Sequence, residues 1–230
     1  MPHIRFSIQV ETEDEEPSRV VRRIDGTVYR YAGESYVEEQ IGNLCCFLVQ
    51  PGLAEEKQVS LFDAMDSISD ETAECYESVF DPSTDGWNAD IEDLYSGGPI
   101  GSDLLFIDRV ELDGKYRGKG IGRAVVREVI ETFGLHCGLV VCKPYPLEYS
   151  GWTEKFSAAE QGKPEFEQER ADAFERVRKF WTKCGFVRVP GSEFYSHCPE
   201  LVRQPETNRP KGDPIRVPRG RKKLFRRGRR

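Results

Sequence analysis

Tyr116–Ala124 reads YRGKGIGRA, and its three glycines decide how the rest of the chain is read. Glycine at a helix start costs backbone entropy, so three in five residues call for a reason. Phosphate-binding loops use glycine this way, and their spacings differ. A P-loop needs G-x-x-x-x-G-K-[ST]. Here Gly114 and Gly118 stand one residue too close, and Gly120 occupies the Ser/Thr position after Lys119. The dinucleotide fingerprint G-x-G-x-x-G fails as well, because Arg123 takes the place of its third glycine. The spacing that remains is R-x-x-G-x-G, met by Arg117, Gly120 and Gly122. Such a loop suits an anion. Missing Cβ atoms admit a ligand to the main chain, and the first N–H groups of the next helix lack internal partners. A bare strand-to-helix turn is the competing reading.

The flanks narrow the choice. LLFIDRVEL, Leu104 to Leu112, reads as a buried strand. Ile121, Val125, Val129 and Phe133 recur at helical spacing after the loop, and Gly134 suits a helix stop. GLVVCKP, Gly138 to Pro144, predicts a second apolar strand. Phe174, Val177 and Trp181 mark another helix, which runs into Cys184-Gly185-Phe186.

This order of elements, with its two motifs, resembles the GNAT superfamily of acetyl-CoA-dependent N-acetyltransferases. The resemblance spans about residues 104–198. It implies a mixed α/β (α+β) fold, a mostly antiparallel twisted sheet flanked by helices. It also implies that acetyl-CoA is the acyl donor and that no metal takes part. The coenzyme's diphosphate would lie on the backbone of Gly118, Lys119, Gly120, Ile121 and Gly122, with Arg117 and Lys119 adding positive charge, and its pantetheine along Val110, Glu111 and Leu112. The implied reaction is direct attack of an amine on the thioester.

A base must then take a proton from the amine. Asp108 and Glu111 are the candidates on the strand. Simple alternation groups Asp108 with Phe106, Val110 and Leu112, a setting that raises a carboxylate pKa. Pairing of Asp108 with Arg109 is the structural alternative. The family often places a tyrosine acid four residues before the glycine of G-F, where this chain has Trp181, and an asparagine where it has Phe174. An indole N–H does not deliver a proton near neutral pH. The acid role therefore falls to Tyr195, Tyr145 or Tyr149, or to water.

Elsewhere, HIRFSIQVE predicts a first strand, and Asp25-Gly26 a tight hairpin turn within Val20 to Tyr31. Ile41 to Gly52 is a further strand. A helix capped by Ser60 carries Leu61, Met65, Ile68, Tyr76 and Val79 on one face and Asp63, Asp66, Asp70, Glu74 and Glu77 on the other. Phe80 to Pro99 reads as a long loop holding Trp87, and residues 11–17 as an acidic loop. The strands precede the helix, which departs from the usual family order.

The chain has 230 residues and no run of eighteen apolar ones, so a membrane span is not expected. Seven cysteines, an odd number without a C-x-x-C pair, favour a reduced, cytoplasmic setting. A zinc site at Cys184, His197 and Cys198 lacks usable spacing. The net charge of −7 conceals a division: Arg209–Arg230 holds eleven basic residues and one acid, Asp213, a net +10 that leaves −17 elsewhere. Residues 1–205 are expected to form the acetyltransferase domain, and 206–230 a disordered basic tail suited to non-specific contact with nucleic acid or another polyanion. Two functions stand: N-acetylation of an unknown amine, or a catalytically weak coenzyme A-binding module whose tail binds nucleic acid or an acidic partner.

Overall fold

A computed structural model describes residues 2–8, 19–32, 37–149 and 163–200. Three antiparallel strands open it: β1 (Pro2–Ile8), β2 (Val21–Ala32) and β3 (Val37–Val49). Four short helices follow: α1 (Pro51–Lys57), α2 (Leu61–Asp66), α3 (Asp70–Val79) and α4 (Ala89–Leu94). Then come β4 (Leu104–Leu112), α5 (Ile121–Thr132), β5 (Leu139–Cys142), α6 (Pro164–Lys183), β6 (Val187–Arg188) and β7 (Tyr195–His197). The strands form one seven-stranded sheet in the order β1-β2-β3-β4-β5-β7-β6. Among the described residues only β4 and β5 run parallel, as the helical crossover between them requires. The fold is therefore a mixed, mostly antiparallel sheet flanked by helices.

Each face of the sheet buries its own core. Leu104, Phe106, Leu139 and Val141 pack with Leu61, Met65, Tyr76 and Ile91 of the early helices. Leu105, Ile107, Val140 and Cys142 face the other way, against Val125, Val126, Val129 and Ile130 of α5 and Trp181 of α6. Leu104–Ile107 of β4 and the whole of β5 are covered on two sides, which is why these stretches contain no charged residue.

Four local expectations change. Asp25-Gly26 is not a turn: Gly26 lies mid-strand between Phe6 and Leu44, and a Cβ there would come within 2.7 Å of Leu44 Cγ. The glycine makes room for a core leucine. The single helix from Ser60 is two. Ser60 caps α2, and Ser69 starts α3 by a capping box with Thr72. Ile68 still packs at the edge of the same core. The segment Phe80 to Pro99 contains α4, capped by Asn88, and Trp87 stacks on Phe80 with ring centroids 5.0 Å apart. Gly134 follows the end of α5 but serves packing, since a Cβ would meet Val140 Cγ2 at 2.9 Å.

The seven cysteines are free thiols, all buried except half-buried Cys184. Burial pushes the thiols of Cys45 and Cys137 up to about 12 and that of Cys184 to about 11. No helix among the described residues is long and apolar enough to cross a membrane. The expected acidic loop at 11–17 and the basic tail lie outside the described residues.

Candidate functional site

The site begins with an irregularity in β4. Cys46 pairs with Ile107 and Cys45 with Arg109, so Asp108 is the extra residue of a β-bulge. Before the bulge, Phe106 faces the early helices and Ile107 faces α5. After it, Val110 and Leu112 face α5. The expected grouping of Asp108 with Phe106, Val110 and Leu112 thus holds for Phe106 alone. One inserted residue breaks strict alternation and re-aims the carboxylate.

Asp108 and Phe106 line a cavity of ≈ 320 Å³ on the face of the early helices. Glu71 of α3 and Arg109 share its wall, as do Lys143 and Tyr145 beyond β5. Asp108 is half-buried and has no hydrogen bond or ion pair with any described residue. Desolvation raises its pKa, against the opposing fields of Arg109 and Arg23. Lys143 is ion-paired to Glu74 and sits 5.6 Å from the Phe194 ring centroid. The Tyr145 hydroxyl donates to the Tyr149 carbonyl at 3.3 Å. Sequence reading proposed Asp108 and Tyr145 for this region, and Arg109 only as a partner that would pair with Asp108; it did not single out Glu71 and Lys143. These come together only through pairing and helix docking, which no local pattern encodes.

A gap adjoins the cavity. β5 pairs with β4 only from Leu104 to Ile107, whereas β3 follows β4 as far as Leu112. Between Asp108 and Leu112 the edge of β4 turned toward β5 therefore has no strand partner among the described residues.

The glycine loop closes the far end of that edge. Arg117 Nε donates to the carbonyl of Leu112 at 2.9 Å, and Lys115 Nζ pairs with Glu39 at 2.7 Å. Hydrogen bonds led by Lys115 hold the Glu39 carboxyl at about 2. Tyr116 is buried beneath the guanidinium of Arg30, 4.7 Å from the ring centroid. Gly118 and Gly120 adopt φ of +73° and +80°, the left-handed region that L side chains rarely enter. Open space lies where their Cβ atoms would be. Gly120 caps α5 without a side chain, and the first turn of α5 carries no acidic residue. The helix start thus presents uncapped N–H groups and its positive dipole end. Gly122 has a different reason: a Cβ would approach the Phe180 ring to 3.2 Å. A larger cleft of ≈ 500 Å³ starts at Gly120 and follows α5, with Arg123, Arg127 and Lys183 on its walls.

Other expected participants lie elsewhere. Glu111 is exposed past the bulge. Tyr195 is buried on β7 in the core beneath α5 and α6, on the opposite face of the sheet from Phe106. Tyr149 packs against Phe166. Trp181, 6% exposed, stands edge-on to Phe186 with centroids 5.0 Å apart. His197 Nδ1 is 3.0 Å from the Gly185 carbonyl. Among the described residues no group of His, Cys, Asp and Glu is arranged to hold a metal ion.

No family model and no curated protein matches the chain. Two solved structures are weakly similar to it. A KacTA–DNA complex aligns with TM-score 0.37 and 10% identity over 81% of this chain and 72% of that one. A tyrosine-to-phenylalanine mutant of KacT aligns with TM-score 0.39 and 10% identity over 81% and 76%. Similarity this low leaves function to be read from the chain's own residues.

Proposed function

We propose that residues 1–205 form an N-acetyltransferase domain that uses acetyl-CoA to acetylate an amine. Continuity carries the reading: the uncapped start of α5 leads into the free edge of β4, which runs back from Leu112 to Asp108. A long anionic thioester fits that path. Its diphosphate would meet the backbone of Gly118 to Gly122, with Arg117 and Lys119 adding charge, and its pantetheine arm would follow Val110, Glu111 and Leu112. Acetyl-CoA supplies the activated acetyl group.

The protein's own part is positioning and proton transfer. Asp108, at the end of the edge and raised in pKa by burial, takes a proton from the attacking amine. The nitrogen–acetyl bond forms as the carbon–sulfur bond breaks. Among the tyrosines considered, Tyr145 shares a cavity with Asp108, so it is a better candidate than Tyr195 to protonate the leaving thiolate. Free thiols throughout suit a reducing cytoplasm.

The test pairs calorimetry of acetyl-CoA binding with an amine panel read by thiol release. Binding and turnover in the wild type, both lost in Gly120→Asp, support the reading. Unchanged affinity in a folded Gly120→Asp protein excludes this loop as the site.

Trp181 favours a second reading, a coenzyme A-binding module with little catalysis. It is committed to aromatic packing, and its indole cannot replace the family's tyrosine acid. In that case the basic segment 206–230, contacting a polyanion such as nucleic acid, carries the function. Binding without turnover decides for it.

A further inference from the structure

The cavity beside Asp108 also bears on what is acetylated, an inference that rests on the proposed reaction. Its size, ≈ 320 Å³, lies at the small end of ligand pockets. Its charges are mixed. Asp108 and Arg109 line it as neighbours, and neither has an ion-pair partner among the described residues. Lys143 also lines it but is already neutralised by Glu74. A polyamine would gain from Asp108 and Glu71 and be repelled by Arg109. A purely anionic ligand would meet the reverse. A molecule carrying both signs satisfies both unpaired groups. The guanidinium offers a planar fork of donors matched to a carboxylate, and as an exposed side chain it can adjust to one. Phe106 supplies an apolar floor, with Leu147 beside it, which suits a short aliphatic spacer.

We infer that the acceptor is a small amino acid-like molecule, its amine directed to Asp108 and its carboxylate held by Arg109. Arg109 is then a specificity residue that touches the substrate but takes no part in proton transfer.

The test compares matched acceptors that differ only in that group, β-alanine and β-alaninamide, in wild type, Arg109→Gln and Arg109→Lys. In the wild type the acid should exceed the amide in kcat/KM by about 10- to 100-fold, the range of a charge-assisted hydrogen-bond pair. In Arg109→Gln that ratio should collapse through KM of the acid, and Arg109→Lys should restore part of it. Equal use of acid and amide by the wild type, or an unchanged ratio in Arg109→Gln, overturns the inference while leaving acetyl transfer standing. Equilibrium binding of β-alanine without coenzyme gives a readout independent of turnover. Binding weakened in Arg109→Gln supports the inference even if no acetylation occurs, and absence of binding to the wild type at millimolar concentrations, together with absence of turnover, overturns it. Circular dichroism of each variant establishes that the fold is intact.

Discussion

Arg117 and Leu112 are joined across the turn by a hydrogen bond from guanidinium Nε to carbonyl oxygen at 2.9 Å. The end of β4 and the start of the glycine loop are thereby fixed to one another. A basic residue whose expected role was to attract an anion also sets the shape of the loop that would hold it. Arg117→Ala should weaken acetyl-CoA binding by about 10-fold or more, the scale of a hydrogen bond to a charged group, with little change in melting temperature. Calorimetry and a thermal melt separate the two effects.

Asp108 should show opposite effects on activity and stability. Asp108→Asn should lower the acetylation rate by about 10²–10⁴-fold. In the wild type the rate should rise with pH through the raised pKa of Asp108, as the carboxylate becomes able to accept a proton. The folded-state pKa exceeds the unfolded one, so this group's contribution to stability is full below the unfolded value of about 3.9 and is lost as pH rises through the folded value. Asp108→Asn should therefore melt higher than wild type at pH 7 and equal to it near pH 3. A lower melting temperature at pH 7 would mean that the carboxylate is held by a favourable partner.

Gly42 of β3 faces Leu112, and a Cβ on it would fall 2.2 Å from the Glu111 carbonyl oxygen. Backbone cannot yield as a flexible side chain does. Gly42→Ala should cost about 1–3 kcal/mol or more, as overpacking does, and should weaken coenzyme binding by displacing the end of β4. Urea denaturation measures the first effect and calorimetry the second.

Ser69 begins α3 by accepting from the Thr72 N–H at 3.2 Å while Thr72 Oγ1 accepts from the Ser69 N–H at 3.0 Å. Ser69→Ala should cost about 1 kcal/mol. A melt that does not move would show that the α2–α3 junction is held by packing alone.

Deleting Arg209–Arg230 should leave acetyl-CoA binding intact and abolish retention on a polyanion column. Binding of the full chain to single-stranded nucleic acid should weaken with salt at a log–log slope of about −0.7 per phosphate neutralised. Equal retention of both proteins at low salt would rule out the tail as the polyanion contact.

From Leu104 onward, β4, α5, β5, the later part of α6 and β6 were legible because each has a local cause, whereas β7 and the start of α6 at Pro164 were not read from the sequence. The first half of β4 and all of β5 are apolar on both faces, α5 keeps a helical period, and Arg117, Gly120 and Gly122 keep their spacing. The bulge at Asp108 has no such cause. It arises from the register of Cys45 and Cys46 against β4, which is a property of two strands about sixty positions apart in sequence. Gly26 misled for a related reason. A glycine that makes room for Leu44 reads the same in sequence as one that turns the chain. The restart at Ser69 was hidden because its partner is Thr72 rather than the usual Glu or Gln. Arg109 and Lys143 became interesting only once the cavity joined them.

The burial of the cysteines has a practical consequence at the bench. A thiol is attacked by electrophilic dyes as its thiolate, and thiols raised to about 11 or 12 are almost wholly protonated at neutral pH. Those of Cys46, Cys75 and Cys142 are driven up further in the same direction. The folded protein should therefore add little background to a colorimetric reading of free coenzyme A. The same silence makes dye uptake a gauge of unfolding: in a denaturant series the signal should stay flat, then climb as the sheet opens and its cysteines reach solvent.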